Sequence, residues 1–205
     1  MAVKVQIVFY SMYGHVWKLA EAIAEGAREI AGAEVQLLQV AETLPDDVLG
    51  KMGAIEARKA FAHIPLADAK KLADADAIMI GTPTRFGAAA AQMRTFLDAT
   101  GGLWGSGALI GKVGSGFTST ASQHGGQETT LLTLGTFFYH QGMLIAGAPY
   151  STTELLTMSE MSGGTPYGAS TITGPKGERM PSANELAIAR AQGRHVTSLA
   201  AKLVR

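Results

Sequence analysis

The chain has 205 residues, enough for one domain with a sizeable core. Hydrophobic residues make up 47% and charged residues 17%, which excludes an intrinsically disordered chain. Lys plus Arg number 17 and Asp plus Glu 17, a formal net charge of +0 that excludes a basic nucleic-acid footprint; the absence of cysteine excludes a disulfide, a zinc–thiolate site and a cysteine nucleophile.

Strands and helices alternate along the chain. Val3 to Phe9 (VKVQIVF) reads as a buried first strand. The helix after it carries Val16, Leu19, Ile23, Ala27 and Ile30 on one stripe, with Glu21, Glu25 and Arg28 away from it, and is expected to close at Gly32. Glu34 to Gln39 reads as a second strand and Ala75 to Ile80 as a third. The next helical residues turn Ala89, Met93, Phe96 and Leu97 inward, before a loop TGGLWGSG. Lys112 to Thr118 reads as a fourth strand, poor in bulk because of Gly114 and Gly116. Another helix runs to about His140, capped by Gly142, and Met143 to Ala146 reads as a fifth strand. In the last helix Ser182 and Glu185 spell a capping box, and Leu186, Ala189, Val196 and Leu203 are expected inward. The aromatic Trp17 reads as a subunit contact or as a packed helix residue.

Five strands alternating with helices predict an α/β fold with a doubly wound parallel sheet, in one domain over 1–205. Two long connections, about 42–72 and 150–181, exceed what five strands need, and long ordered loops are usually functional. No signal-peptide pattern begins the chain and no apolar run reaches the length of a membrane span. Lack of cysteine fits a reducing cytoplasm.

Right-handed crossovers place the ends of strands one, three and four on one rim, where such sheets bind ligands. Three loops meet there. YSMYGHVW lacks the Gly-rich phosphate patterns, but offers Ser11, successive backbone N–H groups and a helix N-terminus. It suits a phosphate, or else an ordinary turn with Ser11 as N-cap. GTPTRFG projects Thr84, Arg85 and Phe86, which suit the edge and face of a planar heteroaromatic ring, or else a surface salt bridge at Arg85 and a core position for Phe86. TSTASQHGG is rich in hydroxyls and backbone donors. No metal-ligand cluster is legible. His140 near a helix C-terminus suits a dipole-stabilised cation, and Trp104 in a glycine-flanked loop suits a ligand or subunit contact.

Six strings in order, SMYGH, GTPTRFG, QMRTFLD, TGGLW, GGQE and GGTPYGA, resemble the WrbA family, the flavodoxin-like NAD(P)H:quinone oxidoreductases of type IV first called tryptophan-repressor-binding proteins. The resemblance spans about Val3 to Leu203. It implies a flavodoxin-like sheet of order 2-1-3-4-5 and FMN as cofactor. It implies that Ser11, Met12, Tyr13, Gly14, His15 and Val16 hold the FMN phosphate, and that Thr84, Arg85 and Phe86 line the ring. Ser119, Thr120, Ala121, Ser122, Gln123 and His124 would meet the ring's polar edge and the ribityl chain, with His140 near the ring. Tyr13 and Trp104 would bind the nicotinamide nucleotide or quinone, and His140 or Tyr150 would deliver a proton. Some family members have a glycine run where this chain has Ala121 to His124. The implied reaction is a ping-pong, two-electron reduction of quinones to hydroquinones by NADH or NADPH through FMN, in a homotetramer. Two other readings are a one-electron carrier, disfavoured by the lack of acidic charge, and a regulatory binding protein, disfavoured by the lack of a basic stripe.

Overall fold

The computed structural model describes residues 2–204. Its centre is a parallel sheet built from β1 (Val3–Phe9), β2 (Ala33–Gln39), β3 (Ala77–Arg85), β5 (Val113–Thr120) and β6 (Leu144–Ile145), in the order β2-β1-β3-β5-β6. Counting these five in chain order gives 2-1-3-4-5, as expected. A two-residue strand, β4 (Ala88–Ala89), folds back antiparallel on β3, and β7 (Ser170–Ile172) pairs with β5.

From Ile7 to Phe9 β1 is apolar on both faces because both are covered there, whereas Lys4 at its start is exposed. Val5, Ile7 and Phe9 alternate towards one side with Met79, where α1 (His15–Arg28) and α7 (Ala183–Leu203) pack. Val8 and Tyr10 point to the other side with Ile78 and Ile80, against α4 (Ala91–Asp98) and α6 (Gln127–His140). The low bulk of β5 has a packing cause. A Cβ on Gly114 would lie 2.6 Å from the Phe138 ring, and one on Gly116 would lie 3.2 Å from Leu131. α6 therefore rests directly on the strand backbone.

The structure moves several expected boundaries. β3 continues past Ile80 to Arg85, because Thr82 and Pro83 stay in register with Thr118 and Ser119 of β5. The first helix stops at Arg28, and Ile30 lies outside it. The expected loop TGGLWGSG contains a short helix, α5 (Gly101–Ser106), closed by Gly107 in the left-handed region. Trp17 is a packed residue: it is buried against Phe61, with ring centroids 5.5 Å apart. The capping box on α7 forms as read. Leu186 is partly buried, but Leu203 is exposed, because the 3.6-residue period carries the inward stripe from Val196 through Ala200 to Val204.

The two long connections are ordered. Residues 42–72 hold α2 (Asp46–Lys51), α3 (Ala54–Lys59) and part of a 3-10 turn, Ala69–Asp74. Residues 150–181 hold another 3-10 turn, Thr153–Leu156, and β7. β7 lies beside the upper half of β5, at Thr118–Thr120, while β6 covers only Val113–Gly114. Two short strands thus share one edge of the sheet.

Candidate active site

The carboxyl ends of β1, β3 and β5 open into one cleft of about 440 Å3. Ser11, Met12, Tyr13, His15 and Val16 line it from the first loop, Thr84 and Arg85 from the second, and Ser119, Thr120 and Ala121 from the third. No lining residue is acidic.

The first loop is shaped for an anion. Its turn into α1 is made by Gly14, which sits at φ 94 and is the helix N-cap, with no side chain capping it. The N–H groups of the first turn are therefore left for an external acceptor, at the positive end of the helix dipole. Ser11 is not the N-cap: its buried Oγ accepts from the Gly14 N–H at 3.1 Å and closes the loop on itself.

The segment 42–72 braces this loop from behind. Arg58 Nη1 donates to the Ser11 carbonyl at 2.9 Å and lies 3.2 Å from Glu42 Oε2. Tyr10 Oη donates to the same carboxylate at 2.8 Å, and the Tyr13 hydroxyl donates to the Met52 carbonyl at 3.1 Å. Burial, then the bond to Glu42, pushes the Tyr10 phenol up. Burial raises Glu42, but N–H donation from Leu44 and bonds from Gln92, Tyr10 and Thr43 outweigh it and hold the carboxylate below its ordinary range. His15 is buried and donates from Nε2 to the Gly177 carbonyl at 3.0 Å; burial, outweighing that bond, holds its pKa below the usual histidine range.

The second loop is a two-residue hairpin between β3 and β4, with Phe86 at φ 55 and Gly87 at φ 81. Two positive φ values match the strand twist, but phenylalanine is a strained choice for the first. Its ring is fully exposed at the tip, so nothing within the chain repays the strain. Phe86→Asn, which accepts this conformation, is expected to stabilise the protein by about 1 kcal/mol, read as a higher denaturant midpoint. An unchanged or lower midpoint would count against a strained tip.

The third loop divides. Ser119 and Thr120 belong to β5 and are buried, while Ala121, Ser122, Gln123 and His124 are exposed; the Ser122 carbonyl accepts from Thr120 Oγ1 at 2.8 Å and from the Gly125 N–H at 3.1 Å. Ser122, Gln123 and His124 do not line the cleft, nor do Gly14 and Phe86. His140 and Trp104 lie elsewhere, sharing a shallow groove between α4, α5 and the end of α6. Tyr150 is exposed and lines neither. Within one chain, then, the structure brings the three loops together and leaves these three residues apart.

One part of the cleft has no counterpart among the sequence candidates. Thr173, Gly174, Pro175, Lys176 and Gly177 form its remaining wall. The local signal was the turn string TGPKG and the β-branched STIT run before it. Neither says where the turn lands.

The donor set fits FMN. Backbone N–H groups at an uncapped helix N-terminus suit a phosphate, hydroxyls line the way from it, and the acid-free cleft repels no anion. A parallel doubly wound sheet with such a cleft defines a flavodoxin-like nucleotide-binding protein. Comparison with known proteins narrows this. The model for NADPH-dependent FMN reductases matches residues 11–155. A chain from Geobacter metallireducens named NAD(P)H dehydrogenase (quinone) is 61% identical over 200 residues, covering 98% of each chain. One of the same name from Methanosarcina acetivorans is 58% identical over 205 residues, also covering 98% of each. Among solved structures, a flavodoxin, WrbA-like protein from Agrobacterium tumefaciens superposes with a TM-score of 0.67 at 26% identity, over 98% of this chain and 99% of that one. The chain belongs to the NADPH-dependent FMN reductase family, in its WrbA-like branch.

Proposed function

We propose that the protein is an FMN-dependent NAD(P)H:quinone oxidoreductase that converts NAD(P)H, a proton and a quinone to NAD(P)+ and a hydroquinone. The observation that carries this reading is the acid-free cleft with the uncapped N-terminus of α1 at its floor. The relatives named above support the reaction class. Bound in the cleft, FMN supplies the chemistry of accepting a hydride and passing two electrons on.

The chain's own residues bind and orient. The N–H groups of His15 and Val16 would hold the phosphate, with the Gly14 N–H turned to Ser11 Oγ to shape the loop around it. Thr84 and Arg85 would border the isoalloxazine, with the exposed Phe86 ring at the hairpin tip beside them. Ser119, Thr120 and Ala121 would offer hydroxyl and N–H donors to its polar edge, with Ser122, Gln123 and His124 continuing the loop outside the cleft. Tyr13, its hydroxyl fixed to the Met52 carbonyl, presents a flat face to the nucleotide. Trp104 and His140 share a groove away from this cleft, and a neighbouring subunit of a homotetramer is the means of bringing them to it. His140 or Tyr150, both exposed, then delivers a proton to the quinone oxygen. We place the chain as one FMN-binding domain with insertions at about 42–72 and 150–181, working in the cytoplasm. Among the described residues no helix is long and apolar enough to cross a membrane.

The test is direct. The purified protein should be yellow and should oxidise NADH or NADPH with benzoquinone as acceptor. A colourless protein that FMN does not reconstitute would overturn the reading.

A further inference from the structure

The fourth wall of the cleft is a turn joined to the loops on either side of it. The Thr173 N–H donates to the Thr120 carbonyl at 2.8 Å, and the Gly177 carbonyl accepts from His15 Nε2 at 3.0 Å. His15 is the first residue of α1, so the turn is tied to the helix N-terminus itself. The Gly177 N–H donates to the Gly174 carbonyl at 3.1 Å, closing a β-turn with Pro175 and Lys176 at its tip. Pro175 holds the first central position, which its fixed φ suits. Gly177 sits at φ 70, a conformation that favours glycine; a Cβ there would make only ordinary contact with the imidazole at 3.5 Å.

The charge around the phosphate site explains what this tip is for. The stretch from Ser11 to Val16 holds no lysine or arginine. Lys18 is drawn off to Glu21 at 2.9 Å and over the Trp17 ring. Arg58 stands behind the loop, already paired with Glu42. Arg85 sits on β3 and donates to the Thr84 carbonyl. Lys176 is exposed and lines the cleft beside the helix N-terminus; its backbone N–H donates to Glu178 Oε2 at 2.9 Å, but among the described residues its ammonium makes no ion pair.

We propose that the 174–177 turn carries Lys176 across the cleft as the counter-ion of the bound phosphate. An ammonium on a four-carbon stem, with three rotatable donors, suits a phosphate as a point charge. The inference rests on the FMN reading above.

The full chain, freed of flavin, is titrated with FMN and with riboflavin, which lacks the phosphate, following flavin fluorescence. Lys176→Gln is expected to weaken FMN about three- to tenfold, the scale of one charge-assisted hydrogen bond at an exposed site. Riboflavin affinity should stay unchanged, and FMN affinity should respond less to salt. Lys176→Arg should retain most of the FMN affinity. Equal FMN affinity in wild type and Lys176→Gln, or an equal loss for both flavins, overturns the role of Lys176 while leaving the FMN reading standing. A wild type that binds neither flavin overturns both.

Discussion

Glu185→Gln should lower the melting temperature by about 10 °C, from a loss of about 3–5 kcal/mol. Glu185 is fully buried, yet its carboxylate is the most heavily bonded group in the chain's second half. It accepts from the N–H groups of Gly163 (2.8 Å), Ile172 (3.1 Å) and Ser182 (2.8 Å), from Thr171 Oγ1 (2.8 Å), and from Arg179 Nη1 at 2.9 and 3.0 Å. These partners come from the 150–181 segment, β7 and α7. The amide keeps the shape but strips Arg179 of its counter-charge and turns an N–H group towards donors. Buried polar groups left facing the wrong partner carry their full desolvation cost. Arg179 also donates to the Ile172 carbonyl from its guanidinium and to the Thr173 carbonyl from its N–H. The same substitution should therefore loosen the cleft's fourth wall and weaken FMN binding. A thermal shift under about 2 °C by calorimetry would mean that Glu185 is only a helix cap.

The second large effect is expected at the crossing of α1 and α7. Gly26 of α1 faces the Arg190 backbone, and Gly193 of α7 faces the Ile23 carbonyl; a Cβ at either would overlap the other helix's main chain. Gly193→Ala should destabilise by about 2–3 kcal/mol, because two packed helices must separate to admit a methyl group. The sign is the diagnostic. In a free helix interior the same change stabilises by about 1 kcal/mol. A gain in denaturant midpoint would show that the helices are not in close contact. Gly26→Ala should behave alike, and the double variant should cost less than the sum, since one separation relieves both clashes. α1 brings its uncapped N-terminus to the cleft, so on the proposed reading both substitutions should also reduce FMN affinity.

Much of this was legible in the sequence. Val3 to Phe9, the stripe from Val16 to Ala27, the capping box at Ser182 and the left-handed Gly142 are local signals, and each needs only its own neighbours in the chain. Alternation of strand and helix, with right-handed crossovers, then puts the ends of β1, β3 and β5 on one rim. The three loops Ser11–Val16, Thr84–Phe86 and Ser119–His124 were found this way.

What escaped was non-local. STIT has the composition of a strand, but its place beside Thr118–Thr120 depends on β6 being too short to cover β5. Glu185 looks like a capping-box residue because Gly163, Thr171 and Ile172 lie 13 to 22 positions away and Arg179, six positions away, is outside the box. Trp17 was ambiguous until Phe61 arrived from the 42–72 segment to cover it. Lys176 reads in sequence as a surface lysine, and the bonds of the turn that bears it to His15 and Thr120 set it in the cleft wall.

By itself, then, the sequence determined the α/β class, the strand order through its family resemblance, and the loops that reach the rim. Only the tertiary structure decided which residues share the cleft: that Lys176 closes it, and that Trp104 and His140 stand in another groove of the same chain. The reason is physical. Helix periods, caps and turns are settled within a few residues, whereas the walls of a cleft come from segments more than 150 positions apart, such as His15 and Gly177, and only packing brings them together.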